Sequence, residues 1–227
     1  MLPVVAEFAP NNNAECANWA RQYPDRLATM TDIPLHAGNA TELVLEAKEK
    51  YDCIGISYYP NSGDISWMLS DESTKLWEAF STTKLVCNLQ VVPTNHKIFF
   101  TLAQRNPQVN FVCNHLGLPG LFNAEFPDYK QLGMANKLDN VFVKASAFYA
   151  ASHTPWDPRC KQALNYLTEL LELFGPNRIL WGTDWPPTSK HLTYRQALEI
   201  VLSYCPVMDD KSRKLVLGEN AAKLFSI

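Results

Sequence analysis

Three short segments hold the residues best suited to hydrolytic chemistry. In Ile179–Pro187 an apolar run ends in Gly182-Thr183-Asp184, and Trp185 with two prolines then fixes the exit. A carboxylate in that position can take a proton from water or ligate a metal ion; it can equally cap the loop that follows. In Asn110–Pro119, His115 is the one histidine that directly follows an apolar run and precedes a Gly-x-Pro turn. Its imidazole can bind a metal, donate to a substrate carbonyl or shuttle a proton, and a hydrogen-bonded structural histidine is the ordinary alternative. In Val141–Tyr149, Lys144 and Ser146 share one face of a strand by period-two alternation. Ser146 is placed to touch a substrate, but no GxSxG elbow surrounds it, which argues against a serine nucleophile. Asn114, Gln90, Trp185, Tyr149 and Tyr58 complete the candidate substrate-binding set; the tyrosines serve equally as packing. His36, His96, His153 and His191 fall in loops or at helix starts, where surface positions are expected, and no HxH or HExxH spacing occurs.

Elements of a recurring kind must hold these residues. Short apolar runs rich in β-branched, Cys or aromatic residues lie at Pro3–Phe8, Leu27–Thr31, Cys53–Tyr58, Lys84–Leu89, Val109–Asn114, Val141–Ser146 and Arg178–Thr183. Near-continuous apolar character marks strands covered on both faces, as in a parallel sheet. Helical patterns separate them: 14–23, 40–51, 73–81, 95–105, 128–138 and 158–174, followed by 192–204 and 209–225. The 158–174 segment repeats Ala163, Tyr166-Leu167, Leu170-Leu171 and Phe174 at helical spacing. Strand–helix alternation predicts an α/β fold with a parallel sheet, and both an open doubly wound sheet and a closed barrel satisfy it. No glycine-rich phosphate loop follows any strand, whereas polar residues gather after several of them, which is the barrel habit.

The 227 residues suit one domain over 1–227, with a net charge of −3 and no basic run. Nucleic-acid binding is therefore not expected. No stretch approaches the ~20 apolar residues of a membrane span, and the start of the chain lacks the features of a signal peptide. Six dispersed cysteines without a CxxC pair predict a reduced, cytoplasmic setting. A small-molecule substrate is the expected partner, and Trp67, Trp77 and Trp156 offer apolar surface for a homo-oligomer.

Taken in order, the three segments resemble the amidohydrolase-related family of lactonases and metal-dependent decarboxylases. The family's Asp-His-Leu-Gly-x-Pro is matched by Asn114-His115-Leu116-Gly117-Leu118-Pro119, its Val-Lys-Leu-Ser-Gly by Val143-Lys144-Ala145-Ser146-Ala147, and its Gly-Ser/Thr-Asp-Trp-Pro by Gly182–Pro186. Gly218–Phe225 is similar to the family's closing Asn-Ala helix. The resemblance implies a TIM-type (β/α) barrel with seven recognisable strands, lacking the family's first, His-x-His strand. It implies Asp184 as general base or metal ligand and His115 as the group that ligates metal or polarises a scissile carbonyl. The expected activity is water-mediated opening of a small lactone. The alternatives are a metal-dependent decarboxylase and a non-catalytic truncated barrel that binds or scaffolds. Gln90 stands where metal-dependent members tend to place a histidine, so no cofactor is expected unless a longer N-terminus supplies His-x-His for a divalent metal such as zinc.

Overall fold

The structure, a computed structural model, describes residues 12–60, 63–121, 124–125 and 127–227. Strands β1 (Met30–Asp32), β2 (Gly55–Tyr58), β3 (Val86–Leu89) and β4 (Phe111–Cys113) are followed by a small antiparallel hairpin of β5 (Gly120–Leu121) and β6 (Ala124–Glu125). Strands β7 (Val141–Ala145) and β8 (Ile179–Trp181) complete the set. Six strands pair in one sheet in the order β1-β2-β3-β4-β7-β8, every pair parallel. A doubly wound sheet reverses its strand order partway. This one does not, so the two topologies the sequence allowed resolve in favour of the (β/α)-barrel type. All six strands overlap the apolar runs that predicted them; the seventh, Pro3–Phe8, lies outside the described residues.

The helices are α1 (Asn12–Gln22), α2 (Ala40–Tyr51), α3 (Thr74–Thr83), α4 (His96–Arg105), α5 (Lys161–Phe174), α6 (Tyr194–Leu202), α7 (Asp210–Lys214) and α8 (Asn220–Phe225). Local chemistry sets their ends. Thr193 and Gln196 form a reciprocal capping box before α6, and Gly175 at φ 70° closes α5. The apolar stripe of α5 buries Ala163, Leu164, Leu167, Leu170 and Phe174, each large side chain contributing roughly 1.5–3 kcal/mol. Two helical expectations are corrected. The 128–138 segment is a chain of 3-10 turns over Pro127–Lys137. Gly133 weakens helix formation within it, the Tyr129 hydroxyl donates to the Leu116 carbonyl at 2.7 Å, and Arg178 captures the carbonyls of Asn136 and Leu138. The expected 209–225 helix is interrupted by a π-helical turn at Leu215–Glu219.

The two faces of the sheet differ in kind. Ile56, Cys87, Leu89, Phe111, Cys113, Val141, Val143 and Ile179 join the main core beneath the helices. Alternate positions Val86, Val112 and Leu180 form a second cluster on the inner face, with Phe142 and with Ala221, Leu224 and Phe225 of α8. Side chains two residues further along these strands are polar: Asn88, Asn114 and Lys144. The inner face is thus apolar towards the strands' N-terminal ends, where α8 seals it, and polar towards their C-terminal ends. Gly55 belongs to the apolar layer, where a Cβ would stand 2.6 Å from the Val86 carbonyl oxygen and 2.7 Å from Met30 Cε.

All six cysteines are free and buried. Among the described residues no helix is long and apolar enough to cross a membrane. Of the three tryptophans proposed for self-association, Trp156 is exposed, whereas Trp77 is buried against Phe80 and Phe111 and Trp67 packs edge-on to Tyr58.

Candidate active site

The polar layer collects residues from five strand ends. Lys144 on β7 crosses the inner face and donates from Nζ to Asn88 Oδ1 on β3 at 2.8 Å; Asn88 in turn donates to Ser57 Oγ on β2 at 2.8 Å. Gly182, directly after β8, lies alongside the lysine stem, where a Cβ would make ordinary contacts with Lys144 Cδ at 3.4 Å and Ser146 Cβ at 3.5 Å. Burial pushes the Lys144 ammonium down to about 8, with the negative charge of Asp184 opposing that shift.

His115, Ser146 and Asp184 meet above this lysine. His115 Nδ1 lies 2.9 Å from Ser146 Oγ, and Nε2 lies 3.8 Å from Asp184 Oδ1. Burial lowers the His115 imidazole to about 4; Asp184 opposes that shift and Lys144 reinforces it. The ring is therefore neutral near pH 7, and its approach to Asp184 is not an ion pair there. A carboxylate only accepts, so the arrangement favours hydrogen on Nε2 and a serine hydroxyl donating to Nδ1. The other Asp184 oxygen, Oδ2, accepts from the Tyr149 hydroxyl at 2.8 Å. Tyr149 stacks on His191, ring centroids 4.7 Å apart and planes 14° from parallel.

The backbone is bent into place at three of these strand ends. His115, Ala147 and Asp184 all adopt left-handed conformations, with φ of 53°, 53° and 61°. Such residues cost roughly 1–3 kcal/mol each and gather where function over-determines geometry. Aspartate tolerates this region better than alanine, and Ala147 stands where the resembling motif has glycine. Ala147→Gly is expected to stabilise the fold by up to about 1 kcal/mol, seen as a higher urea midpoint. A lower midpoint would mean that the buried methyl group outweighs the backbone strain.

The other candidates divide by position. Asn114 is fully buried beside His115, and Gln90 is half-buried at the end of β3. Trp185 stands exposed at the rim, beside Tyr194. Tyr58 points to the helix-facing side and its hydroxyl meets His36 Nδ1 at 2.9 Å. Its neighbour Tyr59 falls on the inner face, where burial raises its phenol and the negative charges of Asp184 and Asp32 add to the rise. Strand parity applied to every run would have found Asp32, Ser57 and Asn88, which pair in register as Asp32↔Ser57 and Ser57↔Asn88. Of the histidines expected at the surface, one is buried and another is half-buried against an aromatic ring. His96 is fully buried, its Nδ1 3.4 Å from the Tyr129 carbonyl oxygen, and His191 covers Tyr149. Nothing in their sequence context signals either contact.

A sequence model of the amidohydrolase family matches residues 2–227. The chain belongs to the amidohydrolase family. Solved structures agree with the fold. An amidohydrolase from Burkholderia multivorans with bound zinc superposes with a TM-score of 0.79 at 18% identity, covering 96% of this chain and 80% of that one. A probable 2-pyrone-4,6-dicarboxylic acid hydrolase from Acinetobacter baumannii with bound citric acid gives 0.75 at 20% identity, covering 96% and 79%. A 5-carboxyvanillate decarboxylase from Sphingomonas paucimobilis gives 0.70 at 15% identity, covering 98% and 73%. Among curated proteins none is similar enough to match.

Divalent metals are bound by some members of this amidohydrolase family, and the donor set here can be tested against that role. His115 and Asp184 offer two ligands, but the Lys144 ammonium lies within the field of Asp184, and Gln90 is a poor zinc ligand. Among the described residues no group of three or more His, Cys, Asp or Glu could hold a metal ion. The described part of this amidohydrolase site does not fit a closed divalent-metal centre.

Proposed function

We propose that the protein is a hydrolase that opens a small lactone with water, Asp184 acting as general base and His115 polarising the carbonyl. The observation that carries this reading is the meeting of a carboxylate, a neutral imidazole and a buried ammonium at the polar end of one barrel-type sheet. Asp184 Oδ1 takes a proton from water as the water oxygen bonds to the lactone carbonyl carbon. The Nε2–H of His115 stabilises the developing oxyanion, and Lys144 adds positive charge in a poorly solvated site, where it acts more strongly than in water. Collapse of the tetrahedral species breaks the ring C–O bond, and Asp184 returns its proton to the leaving alkoxide. The product is a hydroxy acid.

Two protonation windows follow from the same geometry. His115 is neutral above about pH 4, so it serves as a donor without titrating near neutrality. Lys144 is charged below about pH 8, so its contribution is present below that pH and is lost as pH rises through it. Hydrolysis of a lactone panel, followed by proton release and by chromatography of the acid, is therefore expected to persist after exhaustive chelation and to decline above about pH 8. Absence of turnover for every lactone in folded protein would reject the reading. Lactone hydrolysis that vanishes on chelation and returns with added metal would overturn the metal-free mechanism, and release of CO2 from an aromatic carboxylate without lactone turnover would favour the decarboxylase alternative.

A further inference from the structure

The loop after Asp184 returns across the site. Thr188 N–H donates to the Asp184 carbonyl at 3.0 Å, and His191 N–H donates to the Thr188 carbonyl at 2.9 Å. The turn so formed lays the His191 ring flat on Tyr149, which comes from the end of a different strand, β7. Tyr149 is 9% exposed, and its hydroxyl meets Asp184 Oδ2. A phenol that donates to one oxygen of a carboxylate fixes the rotation of that group about its Cβ–Cγ bond. Oδ1, the oxygen nearest His115 Nε2, is then the one left to face a water molecule.

We infer that Tyr149 and His191 form a positioning pair for Asp184: His191 clamps the phenol by stacking, and the phenol holds the carboxylate so that Oδ1 is directed at the reacting water. This rests on the general-base role proposed above, but the geometric part stands apart from the identity of the substrate. Two features support it. The contact is charge-assisted and short. Burial raises the Tyr149 phenol well above its ordinary range, with the negative charge of Asp184 and the hydrogen bond adding to the rise, so it stays protonated and remains a donor. The other groups acting on this carboxylate are His115, which lies nearest Oδ1, and the Lys144 and Tyr59 side chains, which interact with its charge.

The test combines kinetics with crystallography on three variants of the full chain. Tyr149→Phe keeps the ring and its stacking and loses the hydroxyl. His191→Ala removes the clamp, and His191→Phe restores a flat ring. With a lactone that the wild type turns over, Tyr149→Phe is expected to lower kcat about 10- to 100-fold with KM changed less than about twofold, because orientation acts on the reacting geometry rather than on substrate binding. His191→Ala should give a smaller loss in kcat that His191→Phe recovers, with melting temperatures of all three close to wild type. Crystal structures should show Asp184 turned or split between rotamers in Tyr149→Phe and His191→Ala, and single in His191→Phe. Asp184 ordered as in wild type in both disrupted variants would overturn the inference, as would equal effects of the two His191 substitutions. If no lactone is turned over but Asp184 reorients as described, the positioning pair stands and the lactone reading fails. Turnover by wild type with unchanged kcat in Tyr149→Phe sinks the pair alone.

Discussion

Asp184→Asn is expected to lower kcat for lactone hydrolysis by about 10²- to 10⁴-fold, the range that a positioned general base supplies. The amide is nearly isosteric and can still accept at one atom from the Tyr149 hydroxyl, so fold and backbone should survive; an unchanged melting temperature and circular dichroism spectrum would establish that. What the amide lacks is the basic oxygen nearest His115 Nε2. KM should change little, because the water, not the substrate, is what this oxygen engages. Wild-type kcat in the variant would remove Asp184 from the chemistry and with it the proposed mechanism. The Asn side chain also removes a negative charge beside Lys144, which opposes the burial-driven fall of the ammonium. The residual rate should therefore decline at a lower pH than in wild type.

The second large effect belongs to His115. Replacing it by alanine is expected to lower kcat/KM by about 10²- to 10³-fold, as for loss of one oxyanion donor. The pH dependence separates its roles. Burial holds the imidazole near 4, so it is uncharged through the range in which ordinary histidines titrate. A neutral Nε2–H donor predicts a wild-type rate without an inflection between about pH 5 and 7. An imidazolium donor would instead lose rate as pH rises through the usual histidine range near 6.5, and that profile would contradict the assignment. Stability carries the same sign. Between about pH 4 and 6.5 the unfolded chain binds more protons at this position than the folded one. The neutral ring's contribution is thus fully present above 6.5 and is lost as pH falls towards 4. His115→Ala should flatten the acid limb of the stability curve even though it weakens packing at neutral pH.

Most of the strands were legible from the sequence because their causes are local, whereas strand–helix alternation alone allowed both an open sheet and a barrel until the strand order decided between them. A parallel strand covered on both faces is a short, almost unbroken apolar run, and each of the six strands of the main sheet overlaps one. The Gly182–Pro186 and Asn114–Pro119 segments were legible for a related reason: a polar residue directly after such a run must emerge at the C-terminal end of the sheet. Period-two alternation even placed Lys144 and Ser146 on one side of β7. What alternation left open was which side faces inward. That was decided by α8, whose Leu224 and Phe225 seal the face carrying Val86, Val112 and Leu180 and so leave Asn88, Asn114 and Lys144 as the polar layer above.

Contacts between distant segments followed a different rule. His191 and Tyr149 are brought together by a turn after Asp184, and Asn88 meets Lys144 across the sheet's inner face; no periodicity within either segment encodes the meeting. Tyr58 and Tyr59 make the point most sharply. Adjacent in sequence and alike in chemistry, they fall on opposite faces because successive side chains of a strand alternate. Only the register of β2 with its neighbours decided that Tyr59 faces Asp184 while Tyr58 joins the helix-covered core and bonds to His36. Electrostatics belongs to the same class. A histidine with a pKa near 4 and a lysine near 8 are products of burial, and burial exists only once the strands, the helices and the long loops have closed over them.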